Sequence, residues 1–288
     1  MVSQRYLIHA ISHDSLTSFD TSEYDDDAVE MDYPFKSSDI AVKLVCSCNG
    51  LVLLWYDDYP DSKEFFCLWN PATHEYKVIH ESPNEFLMED GGMQAFKYDY
   101  KIDDYKLVKV VHQHGDKFPF NLASDVLVNG ALHWVLAKWV IVSLNISDER
   151  FEVIQLPNEP LESKHLFTNV GVLEGCLCVL ASVPEICYNV WVMQEYGIRE
   201  SWTKRYVITH DRILKHDCFL SLLWSFKNGE ILFFIPGNLI LYNPMHASIR
   251  EPNIFIQTHL YATRNYFESL VPLNSGTYVQ RLEEEEEE

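Results

Sequence analysis

Apolar and polar positions alternate in short runs along most of this chain, and turn signals break the runs every few residues. Alternation with a period of two puts one face of a strand into a core. No stretch keeps a 3.6-residue period over three turns, and aromatic and β-branched residues are spread evenly, so the pattern predicts an all-β fold.

Four turn dipeptides sit between apolar runs: Asn49-Gly50, Asn129-Gly130, Glu174-Gly175 and Asn228-Gly229. Asn-Gly in that setting is a strong hairpin signal, because a type I′ turn needs positive φ at both central residues. Each hairpin is followed by a second strand pair, as in 64–70 with 76–79, 141–145 with 151–154, 189–193 with 202–208 and 239–243 with 249–251. The predicted unit is four antiparallel strands with two tight turns and a longer middle loop. The glycines are 80, 45 and 54 residues apart, and the first gap holds a further hairpin, 95–100 turning into 105–111.

A four-stranded unit repeating every 40 to 50 residues or so marks a β-propeller blade. Five units are visible, and a sixth is expected from strands at 6–11, 16–19 and 266–273, which would join the two ends in one blade. The expectation is a kelch-like β-propeller of about six blades over residues 1–278, with a disordered acidic tail at 279–288. The blade near 112–124 is expected to be shortened, since only 26 residues separate Asp104 from Gly130.

Composition narrows the function. Hydrophobic residues make up 47% and charged residues 23%, which a folded chain requires. The formal net charge of -21 includes the six glutamates 283–288, and so acidic a surface repels nucleic acid while favouring basic partners. Seven cysteines lie inside apolar runs and read as buried free thiols, and no apolar run reaches the length of a membrane span. Residues 1–12 read as neither signal nor transit peptide. Together these predict a cytoplasmic or nuclear protein with no membrane or nucleic-acid partner.

Catalytic and metal signatures are weak. His112 and His114 share a strand face without a third ligand nearby, and the pairs Cys46/Cys48 and Cys176/Cys178 fit the buried face of a strand better than a zinc site. The carboxylate pairs Asp57/Asp58 and Asp103/Asp104 fall at turns, where Asp bonds its own backbone. The sequence shows no G-x-S-x-G, H-E-x-x-H or phosphate-binding loop, so no enzyme, cofactor or metal is predicted. Trp55, Trp69, Trp134, Trp191, Trp202 and Trp224 recur at similar points of the repeat and are expected to pack between blades.

The segments SCNGLV (47–52), LWNPAT (68–73), DDYKLV (103–108), VNGALHW (128–134), SWTK (201–204) and ESLV (268–271) together resemble the plant F-box-associated domain. The likeness runs in order from about residue 5 to 275. It implies a propeller-like module that recognises a protein client for an SCF-type ubiquitin ligase. In that family an N-terminal F-box joins the receptor to a Skp-type adaptor and a cullin. No F-box is expected ahead of Tyr6, so adaptor and cullin contacts are not expected of this stretch. A stand-alone scaffold or truncated remnant is the alternative, and a sugar-directed enzyme the third reading.

Strand parity places the middle and inter-blade connections on one rim, here 56–63, 80–92, 112–124, 157–167, 182–188 and 209–217. Loops on a rigid scaffold commonly carry recognition, and aromatic anchors dominate interface energy. The predicted partner-binding residues are Tyr56, Tyr59, Phe86, Phe118 and Trp139, on the rim opposite Asn70 and Asn243.

Overall fold

The computed structural model describes residues 7–17, 28–37, 40–58, 63–79, 92–110, 121–123, 126–136, 140–157, 166–214, 220–235, 237–252, 263–271 and 273. The regular secondary structure of these residues is almost entirely β. A short pair, β1 (His9–Ile11) and β2 (Ala28–Glu30), brackets the helix α1 (His13–Thr17). Blade I follows as β3 (Ile40–Cys48), β4 (Leu51–Asp58), β5 (Lys63–Trp69) and β6 (Tyr76–Ile79).

A three-stranded sheet comes next, with β7 (Gly92–Asp99) between β8 (Asp104–Val110) and β9 (Asn121–Ala123). Blade II is β10 (Leu127–Val128), β11 (Ala131–Leu136), β12 (Val140–Asn145) and β13 (Arg150–Ile154). Blade III is β14 (Leu166–Leu173), β15 (Cys176–Val183), β16 (Cys187–Met193) and β17 (Trp202–Ile208). After the turn of helix α2 (Asp211–Leu214), blade IV is β18 (Ser221–Ser225), β19 (Ile231–Ile235), β20 (Asn238–Asn243) and β21 (Ser248–Arg250).

Every neighbour within a four-stranded blade is antiparallel and sequential, and the sheets form a β-propeller. The described strands give four full blades and the one short sheet, fewer than the six expected. Leu16 and Thr17, expected in a strand over 16–19, belong instead to helix α1, with Ser12 Oγ accepting from the Ser15 N–H as an N-cap; 18 and 19 lie outside the described residues. The described part of 266–273 forms no strand, so no blade shared by the two ends is seen among the described residues. The short sheet answers to the shortened blade, and its β9 pairs with β7 in parallel, as a strand arriving by a crossover does.

Contacts divide the chain into two compact units. Unit 1 holds blade I and the three-stranded sheet, and includes residues 266–288; unit 2 holds blades II to IV, and includes residues 10–29. Each unit therefore incorporates a segment from the far end of the chain.

In unit 1, Cys46, Cys48, Leu53, Phe66 and Leu68 of blade I pack with Phe96 of the three-stranded sheet and with Leu273. The other face of blade I buries Leu54, Tyr56, Cys67 and Trp69 beneath Tyr33, with Ile8, Met31 and Tyr266 at the margin. In unit 2, Ile141 and Ile154 meet Leu177, Val179 and Trp202 between blades II and III, while Leu180, Tyr188 and Val190 meet Ile231, Phe233 and Ile240 between blades III and IV. The first strands of neighbouring sheets approach closely. A Cβ at Gly171 on β14 would lie 3.2 Å from the Leu222 Cβ on β18, so only glycine fits there without displacing a neighbour.

The turns explain the repeat. Asn49, Asn129 and Glu174 have φ of 51°, 51° and 52°, and the glycine after each is also positive, as type I′ requires. Asn228 departs from this: only Gly229 is positive, and the Phe226 N–H donates to the Glu230 carbonyl while Gly229 N–H donates to Phe226. That is a type I turn closed by a left-handed glycine.

The third connection repeats a different device. The Oδ1 of Asn70, Asn145 and Asn243 accepts backbone N–H groups two and three residues on. A left-handed residue closes each turn four positions later, at His74, Glu149 and Ala247. Asp99 with Asp103 does the same between β7 and β8.

Middle connections are shorter than expected, occupying only 59–62, 137–139, 184–186 and 236–237. The long stretches lie between sheets.

Candidate partner-binding surface

Of the predicted anchors, only Tyr56 lies among the described residues, and the structure corrects it. Strand β4 runs on to Asp58, so Tyr56 is a fully buried strand residue and not a loop residue. Its hydroxyl donates to the Pro34 carbonyl at 2.5 Å, its ring stacks on Phe65, and Phe35 closes over both edge-on. Burial pushes its hydroxyl pKa well above the ordinary tyrosine value. Tyr59, Phe86, Phe118 and Trp139 lie outside the described residues, as do His112 and His114.

The other candidates take structural places. Cys46 and Cys48 enter the core of unit 1, Cys176 and Cys178 that of unit 2, and these four, Cys67 and Cys187 are free thiols. Asp103 and Asp104 shape the β7–β8 turn, where Asp104 Oδ1 accepts from the Tyr105 N–H. Trp69, Trp134 and Trp202 are buried, and Trp55, Trp191 and Trp224 line cores. Among the described residues no group of His, Cys, Asp and Glu is arranged to hold a metal, and no helix is long and apolar enough to cross a membrane.

The two most exposed aromatic side chains among the described residues, Tyr100 and Phe267, lie in unit 1, at the rim of the tight turns. Alternation along β7 puts Phe96 and Tyr98 on one side, and Tyr100, the first residue of the following turn, meets Tyr98 beyond the strand's end. Phe96 stacks on Tyr105 with centroids 5.3 Å apart, Tyr98 meets Tyr105 edge-on at 5.1 Å, and Tyr100 meets Tyr98 edge-on at 5.0 Å. Burial falls along the series: Phe96 is in the core and Tyr100 is 82% exposed.

Two hydroxyls in this ladder are already engaged. Tyr98 donates to the Asp103 carboxylate, which pushes its own pKa up to about 12. Tyr105 bonds the Asn49 side chain, while burial raises its pKa.

The C-terminal segment reaches the same turn from the other side. Asn70 is fully buried; its Nδ2 donates to the carbonyls of Ser269 and Val271, both at 2.9 Å, while Oδ1 shapes its own turn. Leu273 N–H donates to Glu75 Oε2 at 3.2 Å, and the Leu273 side chain enters the core. At Gly50, φ is +83°, and an added Cβ would stand 2.3 Å from Ser269 Cβ and 2.6 Å from the Phe267 carbonyl oxygen. The segment is thus clamped backbone-first, and Phe267 and Leu270 point outward, 61% and 83% exposed.

Tyr100, Phe267 and Leu270 therefore flank one rigid turn, Asn49-Gly50. Four of the segments noted in the sequence, 47–52, 68–73, 103–108 and 268–271, converge there through Asn49, Gly50, Asn70, Tyr105 and Ser269. The alternation of Tyr98 and Tyr100 was visible in the sequence. The exposure of Tyr100 was not, because it depends on which end of the sheet the turn occupies.

No family model matches the chain. F-box protein CPR1 of Arabidopsis thaliana is 25% identical over 274 residues, covering 75% of this chain and 64% of that protein. F-box/kelch-repeat protein At3g23880 is 26% identical over 286 residues, covering 88% and 73%, and F-box protein At3g07870 is 26% identical over 314 residues, covering 83% and 74%; both are from the same plant. The chain thus spans slightly less than two thirds of CPR1 and about three quarters of the other two. Among solved structures, residues 644–1017 of HIRA align at a TM-score of 0.25 and 11% identity, over 74% of this chain and 52% of that one. The strand pairing, and not this likeness, carries the fold. Over three quarters or more of its length the chain is thus similar to plant F-box proteins.

Proposed function

We propose that this chain is a protein-binding module, the client-recognition part of an SCF-type ubiquitin ligase receptor. The observation that carries it is the set of exposed Tyr100, Phe267 and Leu270 around one rigid turn. Large side chains held on a fixed backbone lose little entropy on binding, which suits them as anchors. The similarity to F-box proteins supports the ligase setting, and the net charge of -21 favours a basic client.

The opposite rim is the second part of the proposal. We assign to it Tyr59 and Phe86, in the connections 59–62 and 80–91 of unit 1, and, as a separate patch, Trp139 in the connection 137–139 of unit 2. Phe118, in the 111–120 connection, completes that set.

Affinity capture from plant tissue tests the reading. The wild-type chain is expected to recover a reproducible client, and co-recovery of a Skp-type adaptor and cullin would put it in the ligase setting. Tyr100→Ala with Leu270→Asp is expected to lose the client at unchanged thermal stability. Client retained by that double variant and lost with Tyr59→Ala and Trp139→Ala moves recognition to the opposite rim. Client without adaptor or cullin makes the chain a scaffold outside the ligase.

A further inference from the structure

The last strand of each blade has one edge with no partner strand among the described residues. Such edges invite pairing with another chain unless something blunts them. In three blades something does. Strand β6 has four residues and β21 three, and Arg250 at the end of β21 is held by Glu230. Strand β17 is longer, but exposed Lys204 and Arg205 stand on it, and the register slips at Arg205, which bulges between Tyr206 and Lys204.

Strand β13 carries the exposed charges Arg150 and Glu152, but it has no bulge and is longer than β6 and β21. Its five residues pair with β12 in unbroken register from Arg150 to Ile154. Phe151 and Val153 are 48% and 68% exposed. They share a face with Leu144 and Val142 of β12 and with Leu132 and Trp134 of β11, so they continue an apolar surface that is buried further in.

The surroundings are acidic. Asp148, Glu149 and Glu152 are exposed in the stretch 148–152, whose sequence has one basic residue, Arg150, on a chain whose net charge is -21.

We propose that the β13 edge accepts an extended segment of a partner protein as a fifth strand of blade II, the segment presenting apolar side chains beside Phe151 and Val153 and Lys or Arg toward Asp148, Glu149 and Glu152. Backbone pairing along the edge supplies affinity, and the alternating side chains supply selection. The charge argument decides the occupant. A second copy of this acidic chain would bring like charges together, while a basic strand would neutralise them.

The test is selection of a random nine-residue peptide library against the full chain, with counter-selection on the double variant Phe151→Lys, Val153→Lys. Lysines on an exposed edge leave a blade folded, which an unchanged melting temperature verifies. The expected outcome is enrichment of peptides that alternate apolar residues with Lys or Arg. These should bind the double variant at least tenfold more weakly, lose affinity as salt rises, and slow amide exchange at Phe151 and Val153.

Failure to enrich any such pattern, or equal binding to the double variant, overturns the proposal. So does a wild-type dimer that the double variant converts to monomer, since the edge would then serve self-association. A chain carrying Tyr100→Ala and Leu270→Asp should bind the selected peptides like wild type, so loss of one surface is distinguishable from loss of the other.

Discussion

The two ends of the chain are secured by different physics. In unit 2, helix α1 is held by burial and charge: Leu16 packs with Leu232, Leu239 and Leu241, and the ring of His13 lies 5.0 Å from that of Trp224. Arg250 forks onto Glu230 at 3.0 and 2.8 Å and also donates to the Leu16 carbonyl. In unit 1, the C-terminal segment has no regular structure and is held by a neutral amide and a missing side chain, those of Asn70 and Gly50. A five-residue helix still leaves most of its backbone groups without an intrahelical partner, but it is compact enough to be anchored by one apolar residue, with Arg250 meeting the Leu16 carbonyl. An extended segment is not, so its carbonyls must be met by the blade it lies on.

The largest effect should come from Gly50→Ala. The new Cβ would stand inside contact distance of backbone at a positive φ, so the segment must lift, at a cost of about 3 kcal/mol. Gly130 has a similar φ of +77° with nothing within 4 Å of an added Cβ, so Gly130→Ala should cost only ~1 kcal/mol. Urea unfolding of both variants measures the difference; equal losses would mean that only backbone strain matters and that the segment is not clamped.

Leu16→Ala should follow, at about 2–3 kcal/mol for a buried leucine whose site partly collapses. Because α1 lies beside Trp224, its detachment should also shift tryptophan emission, which Gly50→Ala should leave in place.

Asn70→Ala and Asn243→Ala compare the same turn with and without a second duty. Both lose the Oδ1 that organises their turn. Only Asn70→Ala also abandons the Ser269 and Val271 carbonyls, so it should cost about 2 kcal/mol against ~1 kcal/mol for Asn243→Ala. Faster proteolysis after residue 265 in Asn70→Ala alone would locate the loss; indistinguishable variants would remove Asn70 from the clamp.

These residues also show what the sequence reveals and what it withholds. Asn49-Gly50 was legible because two successive positive φ angles leave few residue choices. The turn at Asn70-Pro71 was legible for a similar reason. The bonds from Asn70 to residues 199 and 201 positions away were not, since no local pattern encodes them. Residues 16–19 read as a strand because a helix of five residues is too short to display its period. Tyr56 read as a loop residue because Asp57 and Asp58 follow it, yet the strand pairs through Asp58 with Lys63. The short sheet was legible from its length alone, and its parallel partner β9 was not, because three residues carry no pattern.

Acidification separates the two ends with the smallest effect. Arg250 holds the Glu230 carboxyl below its ordinary pKa, against the opposing pull of burial. A lowered carboxylate pKa stabilises the fold above the unfolded value near 4.5, and the gain is lost as pH falls through the folded value. Asn70 has no proton to gain. Glu230→Gln should therefore cost ~1 kcal/mol at pH 7, a charge-assisted bond traded for a neutral one, and progressively less below pH 4.5. The cost of Asn70→Ala should stay flat.

A second titration lies between these limits and must be subtracted. Burial lowers the pKa of His133, whose ring bonds the Tyr196 hydroxyl at 2.9 Å, so stability in unit 2 should begin to fall below its ordinary value of 6.5. Because every variant shares His133, that slope cancels in the difference between wild type and Glu230→Gln. Urea midpoints of the three proteins from pH 7.5 to 3.5 resolve both windows. A Glu230→Gln cost that does not shrink on acidification would mean that the apolar contacts of Leu16, and not the ion pair, hold α1.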